Sequence, residues 1–378
     1  MAKSFFRNIY KSGKSDPINY FSVEIYDVDI SIINSLKRII QSNIQLPGFL
    51  GEDHHSVTII ENNGPLHNEI ITHRIGLIPI HFNEDEVENF DSDDYSFELN
   101  VKNDTTTMLN VTTESFTVLK KNIAFSKKEI QRLFPPNPHT NHFILITRLR
   151  PNESLHFKAT AILNDAVYHA GFSPVSLCAF HYMQDPKLVA KLPDNATILD
   201  KERAYFRNEY GDPTAVKFEL EIECGLTAKY LVSKALEILM SKLDKILNEV
   251  IAQTSEYIKI EVQESNNGYL FIFNDENDTL GNFLQSSMHN YYIRSKNMTS
   301  QNKILSYVGY VCPHPLDTTM HLNFVIKNKI IKSDSSSEGD TEYNYSNNKA
   351  EYIEVLSEQC RRSLSYLQEI KTQWLLSL

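Results

Sequence analysis

The chain has 378 residues, and at ~150 residues per domain that length points to two or three domains. Hydrophobic residues make up 41% and charged residues 22%, enough apolar material for a buried core, which excludes collagen-like, coiled-coil and fully disordered classes. Lys and Arg number 37 against 48 Asp and Glu, and the net charge of -11 argues against unaided binding to nucleic acid or to an anionic membrane. Protein partners fit that balance better.

No apolar run approaches the ~18 residues that would span a bilayer. The opening Met-Ala-Lys-Ser-Phe-Phe-Arg lacks the apolar core of a secretion signal. Cys178, Cys224, Cys312 and Cys360 are too widely spaced for a metal knuckle or a dense disulfide framework, so a reducing compartment is expected.

The first regular segment is Tyr20 to Ile25, where Phe21, Val23 and Ile25 alternate with Ser22 and Glu24 and predict a half-buried strand. Ile32, Ile33, Leu36, Ile39 and Ile40 then recur at helical spacing, with Asp29 as the N-cap, and Leu46-Pro47-Gly48 ends that helix. From Gly48 to about Asp212 the signals are short strands and turns: strands at 57–60, 97–101, 143–147 and 155–161, an exposed acidic loop at 83–94 and a proline-rich loop at 135–138.

Alternation returns at Val216, Phe218, Leu220 and Ile222. After Gly225 comes the strongest helical stripe in the chain, from Leu226 through Leu231, Leu239 and Ile246 to Val250. A helix of that length with one apolar face needs a partner surface. Near Gln253 the pattern restarts. Ile258, Ile260 and Val262, then Tyr269, Phe271 and Phe273, predict a hairpin around Asn266-Asn267-Gly268. A second capped helix begins at Asp278, further strands are expected at 307–311 and 322–326, the segment 333–348 reads as a solvated acidic loop, and a last amphipathic helix runs from Ile353 to Trp374.

The order strand, short helix, strands, long helix therefore occurs twice, once with a large insertion. The expected class is α+β: two related domains, each an antiparallel sheet with two helices, the four helices meeting in a pseudo-twofold pair. The first domain is discontinuous, 1–47 with 213–253, because the strand near residue 21 is expected beside the strand near residue 216. Residues 48–212 form a mostly β insertion, and 254–378 form the second domain, carrying the acidic loop 333–348.

Specific motifs sit on this frame. Asp29-Ile30-Ser31-Ile32-Ile33-Asn34-Ser35-Leu36-Lys37-Arg38 resembles the first helix of the α-like subunits of multisubunit RNA polymerases. Leu66-His67-Asn68-Glu69 with Thr72-His73-Arg74-Ile75-Gly76-Leu77-Ile78-Pro79-Ile80 is similar to the most specific motif of the third-largest subunit of eukaryotic RNA polymerase II and its archaeal equivalent. His169-Ala170-Gly171-Phe172-Ser173-Pro174 is similar to a motif between that family's insertion and dimerisation domains. Asn277-Asp278-Thr279-Leu280-Gly281-Asn282-Phe283-Leu284, with Val308-Gly309-Tyr310 and Pro313-His314-Pro315, resembles the small eleventh subunit, the usual dimer partner of the third.

The resemblance implies two normally separate subunits fused in one chain, as occurs in large cytoplasmic DNA viruses, the giant viruses among them. The Asn-, Ile- and Lys-rich composition fits an AT-rich viral genome. The family implies a non-catalytic assembly platform that binds the largest and second-largest polymerase subunits and small assembly subunits. It implies no cofactor, no sequence-specific nucleic acid binding, no membrane and no need for a homodimer. Location follows: the viral factory in the host cytoplasm and the virion for a viral chain, otherwise wherever the polymerase resides.

Carried over by position, Lys37, Arg38 and Arg74 are expected at the large-subunit interface. Lys37 stands where the family has arginine and cannot make arginine's planar two-point grip on a carboxylate. Arg74 has two readings, a partner contact or an internal brace. Gly76 and Pro79 are structural, Gly76 permitting a backbone shape closed to larger residues. Asn34, Leu36, Gly281, Asn282 and Leu284 are expected to pack the pseudo-dimer helices, with Asn34 and Asn282 at equivalent places in the two repeats, setting register, and Gly281 allowing close helix approach.

No metal site is expected, since His54-His55, His139, His142 and Cys178 do not replace the zinc-binding cysteine cluster of many third-subunit relatives. No catalytic residue is assigned. Ser12-Gly13-Lys14-Ser15 ends like a phosphate-binding loop but has Asn8 where that motif needs glycine. Two other classes remain at this point: a polymerase-independent interaction scaffold using the same helices, and a hydrolase built on Cys312 or a histidine cluster.

Overall fold

The computed structural model describes residues 4–13, 19–51, 56–252, 256–263, 268–295, 297, 304–329, 343–345 and 348–377. Lys14-Ser15, His54-His55, Asn266-Asn267 and most of the acidic segment 333–348 lie outside that set. The chain divides into two compact units. One comprises Met1–Asp27, Ile39–Ala235 and Ser377–Leu378, the other Val28–Arg38 and Leu236–Leu376. The class is α+β, and every strand pairing among the described residues is antiparallel.

The first unit opens with a four-stranded sheet, in spatial order Phe6–Lys11, Tyr20–Tyr26, Ala215–Ile222, Val175–Tyr182. Phe21 faces Leu220, Val23 faces Phe218 and Ile25 faces Val216, so strands almost two hundred positions apart in sequence are neighbours in space. These six side chains are all buried. Lys217, Glu219 and Glu221 alternate to the other face and stay half-exposed, the two-sided pattern of a sheet with one solvated surface. After the Tyr20–Tyr26 strand comes the helix Ile30–Ser42 (α1), whose stripe of Ile32, Ile33, Leu36, Ile39 and Ile40 is buried throughout.

The insertion has a five-stranded sheet around Ser154–Ala159 and Tyr95–Lys102, with a core of rings. Phe49 meets Phe97 edge-on at 5.0 Å, and Phe116 stacks on Phe134 at 4.9 Å. The strand expected at 143–147 runs Leu145–Leu149 instead.

Among the described residues, five helices stand where only strands and turns are expected: Asn68–Gly76, Glu84–Glu88, Lys127–Leu133, Pro186–Val189 and Ile198–Arg203. Asn68–Gly76 (α2) lies within the His-Arg-Ile-Gly motif, burying Ile71, Thr72, Ile75 and Gly76. Within the acidic stretch, Glu84–Glu88 (α3) is closed by a capping box: the Asn83 side chain accepts from the Glu86 N–H, and the Glu86 carboxylate accepts from the Asn83 N–H at 2.9 Å. That reciprocal pair turns what composition alone presents as a solvated loop into a helix.

The acidic helix reaches the start of the long helix Ala228–Ala252 (α4). Thr227 Oγ1 donates to Glu84 Oε1 at 2.6 Å, and Lys234 Nζ lies 2.6 Å from Glu88 Oε1, which also accepts from the Tyr230 hydroxyl. Arg132 grips Glu86 through both terminal nitrogens at 2.7 Å. Beside them, Gly225 lies so close to the backbone of His81 and Phe82 that a side chain there would overlap the Phe82 carbonyl.

The second unit holds a sheet in the order Ile258–Gln263, Gly268–Asn274, Thr319–Lys329, Ile304–Val311. Phe271 stacks on Phe324 at 5.3 Å, and the Tyr352 hydroxyl accepts from the Ile326 N–H. Asn277 caps the helix Asp278–Met288 (α5), accepting from the Thr279 N–H at 2.9 Å. A π-helical turn, His289–Arg294, follows directly. The C-terminal helix is Lys349–Ser377 (α6), with Leu356, Leu367, Ile370 and Trp374 buried along one stripe. Part of the segment expected as the acidic loop 333–348 is regular: Tyr343–Tyr345 pairs with Lys327–Lys329, as its two β-favouring tyrosines allow.

The clasp between α3 and the start of α4 has a pH dependence. Hydrogen bonds from Lys234 and Tyr230 hold the Glu88 carboxyl below its ordinary value; burial acts to raise Glu86, but Arg132 and the Asn83 N–H outweigh it. Carboxyls lowered in the folded state stabilise it above their unfolded value, and the contribution is lost as acid titrates them below it. Glu88→Gln is expected to lower the melting temperature by about 1–3 °C at pH 7, a small effect because the pair is partly exposed. The mutant and parent melting curves should converge as pH falls from about 5 to about 3. A gap that persists at pH 3 would assign the effect to packing instead of charge.

Candidate assembly interface

Within the second unit, the N-terminal part of α1 lies against α5 and the π-helical turn. Asp29 begins as a helix cap: its Oδ1 accepts from the Ser31 N–H at 2.7 Å and from the Ser31 hydroxyl. The same carboxylate accepts from the Ser286 hydroxyl at 3.2 and 3.3 Å and from Asn290 Nδ2 at 2.7 Å. Ser286 and Asn290 are one turn apart, and Asn290 Nδ2 also lies 3.5 Å from the Ser286 hydroxyl. At the other end of the contact, the buried Ser35 hydroxyl lies 2.7 Å from the Ser31 carbonyl and 3.3 Å from the Thr279 carbonyl. The residue order, 29 with 286 and 290, 35 with 279, means the two segments run in opposite senses past each other.

On the two segments Ile32, Ile33, Leu36, Leu280, Phe283, Leu284 and Met288 are buried, each at most 3% exposed. Leu36 and Leu284 are therefore core residues. Asn34 and Asn282 are half-buried, and the groups that bond between the two segments are Asp29 and Ser35. The space beside Gly281 is filled by the ring of Tyr310, which a Cβ at residue 281 would overlap. The small residue thus admits a ring from the neighbouring strand.

Arg38 ends this part of α1 on the exposed side, with Lys37 half-buried next to it. Arg38 lies close enough to Tyr310 and Cys312 to act on both electrostatically. Burial first, then the neighbouring Asp278 carboxylate, raise the Cys312 thiol and the Tyr310 hydroxyl above their ordinary values, with Arg38 opposing the rise. A protonated thiol is a weaker nucleophile than a thiolate, so these surroundings do not activate Cys312. Cys224 and Cys360 are packed thiols, pushed up to about 12 by burial.

A second polar anchor was not read from the sequence. Glu276, 6% exposed, lies 2.7 Å from Lys242 Nζ of α4 and accepts from the Tyr257 hydroxyl at 2.8 Å. Lys245 Nζ sits 3.6 Å from the centre of the Tyr257 ring. Burial and the Glu276 charge raise the Tyr257 hydroxyl well above its ordinary value, so it stays a donor.

In the first unit, Arg74 donates from Nη2 to the Leu145 carbonyl at 2.7 Å. Gly76 has an ordinary φ, and its constraint is proximity: a Cβ there would lie 2.5 Å from the Gly51 nitrogen. Among the described residues no cluster of three His, Cys, Asp or Glu side chains could hold a metal ion, and no helix of the described residues is long and apolar enough to cross a membrane.

No protein-family model matches the chain. It is similar to DNA-directed RNA polymerase subunit Rpo3 of Methanobrevibacter smithii, 26% identical over 182 residues that cover 47% of this chain and 58% of that protein. DNA-directed RNA polymerases I and III subunit RPAC1 of Saccharomyces cerevisiae is 26% identical over 212 residues, covering 47% of this chain and 59% of its own length. The Rpo3 of Thermococcus kodakarensis is 26% identical over 258 residues, 59% of this chain and 90% of that subunit. The chain thus spans less than three fifths of the first two relatives. Its homologues are RNA polymerase subunits of the α-like kind that Rpo3 and RPAC1 represent.

Proposed function

We propose that this chain is a non-catalytic assembly subunit of a multisubunit DNA-directed RNA polymerase, and that it carries both halves of an α-like pair in one polypeptide. The observation that carries this reading is the seating of the N-terminal part of α1 on α5 and the π-helical turn through Asp29 and Ser35. The two helices are the ones whose sequences resemble the first helices of two different subunits. Homology over about half the chain supports the polymerase role, and the restarted pattern after residue 253 supports a fusion. Fusion makes the pairing intramolecular, at an effective concentration of about millimolar for a short connection.

On this reading the domains are 1–47 with 213–253, 48–212 and 254–378. The partners are the largest and second-largest polymerase subunits with small assembly subunits. Lys37 and Arg38 meet the second-largest subunit, Arg38 presenting its charge on the exposed side of α1. Arg74, braced on Leu145, presents what remains of its guanidinium to the same assembly. Fusion and composition together favour a large DNA virus, hence a viral factory and virion.

Two outcomes follow. Asp29→Ala removes the acceptor shared by Ser31, Ser286 and Asn290 and should destabilise the fold by about 2–4 kcal/mol, read by chemical denaturation. Asp29→Asn, which keeps an oxygen, should recover part of it. A loss under about 0.5 kcal/mol for the alanine variant would mean the carboxylate does not pin the helices. Second, a tagged chain should recover the two largest polymerase subunits, and Arg38→Glu should weaken recovery of the second-largest about tenfold at physiological salt while leaving the melting temperature unchanged. Recovery of an unrelated protein set without polymerase subunits would favour a polymerase-independent scaffold instead.

A further inference from the structure

The strand Ile258–Gln263 is an edge of the second unit's sheet: among the described residues its one strand neighbour is Gly268–Asn274. The Asn274 N–H donates to the Tyr257 carbonyl at 2.9 Å, which fixes the alternation of the ladder. Lys259 and Glu261 then exchange their backbone bonds with Ile272 and Leu270, while the N–H and C=O groups of Ile258, Ile260 and Val262 point away from the sheet. Among the described residues no group bonds to those outward groups. An open cleft bounded by Glu249, Val250 and Lys349 adjoins the first half of the strand. An edge of this kind is a template for a further strand.

The side chains select the strand that fits. Ile258, Ile260 and Val262 continue the face that holds the buried Phe271 and Phe273, yet they are progressively uncovered: Ile258 is buried, Ile260 half-buried and Val262 68% exposed. Lys259 and Glu261 stand on the other face, paired at 2.5 Å. Ile-Lys-Ile-Glu-Val is therefore complementary to itself in the antiparallel sense. With Ile260 opposite Ile260 of a second copy, Ile258 lies opposite Val262 and each Lys259 opposite a Glu261, in the non-hydrogen-bonded positions where side chains come closest. Sliding the pair by two residues puts Lys259 opposite Lys259 or Glu261 opposite Glu261, which is repulsive. A slip of one residue lays the apolar row of one copy on the charged face of the other. One register survives, and it has the two-fold symmetry of an isologous contact.

We propose that two copies of the free chain pair through this edge, antiparallel about Ile260, joining their sheets into one. The contact is short and at the small end of protein interfaces, so its dissociation constant is about 0.1 mM. The net charge of -11 on each copy opposes it and is screened beyond about 8 Å at physiological ionic strength. The pairing holds whichever assembly the chain serves.

Sedimentation equilibrium of the full-length chain at physiological salt tests it, between about 5 µM and about 500 µM. The mass should rise from 43.5 kDa toward twice that value. Lys259→Glu and Glu261→Lys, at surface positions, should each leave the melting temperature unchanged and weaken self-association at least about tenfold, because each sets like charges opposite one another. Mixed in equal amounts, the two variants should associate at least as tightly as the parent, since every facing pair is then Lys with Glu. A parent chain that stays at 43.5 kDa across the range leaves the edge to a different protein and overturns the inference. Single variants that self-associate as the parent does assign the contact to another surface and overturn it too, as does a mixture that stays monomeric.

Discussion

The Asp29 carboxylate accepts hydrogen bonds from two directions at once, and the arrangement of α1 on α5 depends on it. From its own helix it takes the Ser31 N–H and hydroxyl; from the second it takes Ser286 and Asn290. A partly buried charge is tolerable only when it is well solvated by donors, and here the donors come from segments more than 250 positions away in sequence. Sliding α1 along α5 by a turn would strand the carboxylate, whereas the surrounding Ile, Leu and Phe side chains would tolerate a modest repacking. Apolar contact supplies the attraction, and the acid selects the register.

The same division of labour recurs. In the first unit, Glu84 and Glu88 hold the start of α4 through Thr227, Tyr230 and Lys234, next to a backbone contact that only glycine at 225 permits, while Glu86 holds Arg132 of the helix Lys127–Leu133. In the second, the nearly buried Glu276 holds Lys242 and Tyr257. Acidic residues that look like a solvated surplus in the composition serve as ties between elements. The net charge of -11 therefore describes the chain as a whole and not the environment of these carboxylates.

Much of the framework was legible from periodicity. The alternation of Phe21, Val23 and Ile25 and of Val216, Phe218 and Leu220 named two strands that pair, and the Leu226–Val250 stripe named the long helix. What escaped has physical reasons. α2 was missed because apolar residues on both its faces blur the helical period and its N-cap, His67, makes no side-chain capping bond. α3 escapes a reading by composition because three acids in succession, with a fourth at Glu88, look like solvated loop, although Asn83 and Glu86 spell a capping box. Asp29 was read as a cap and nothing more; its partners Ser286 and Asn290, a polar pair one turn apart beside Leu284 and Met288, were the available signal. Asn34 and Asn282, at equivalent places in the two repeats, are half-buried, and Asp29 and Ser35 bond between the segments. Gly281 was assigned to helix approach when a tyrosine ring takes the space.

We propose that one polypeptide supplies both members of an α-like pair. Cutting the chain in the segment 253–255 and co-expressing 1–252 with 256–378 tests it most directly, with mass measured by light scattering after affinity purification through a tag on one piece. The account predicts a stable complex of one copy of each piece, abolished when Asp29 and Ser35 are both replaced by alanine. Two folded pieces that elute separately at micromolar concentration would contradict it.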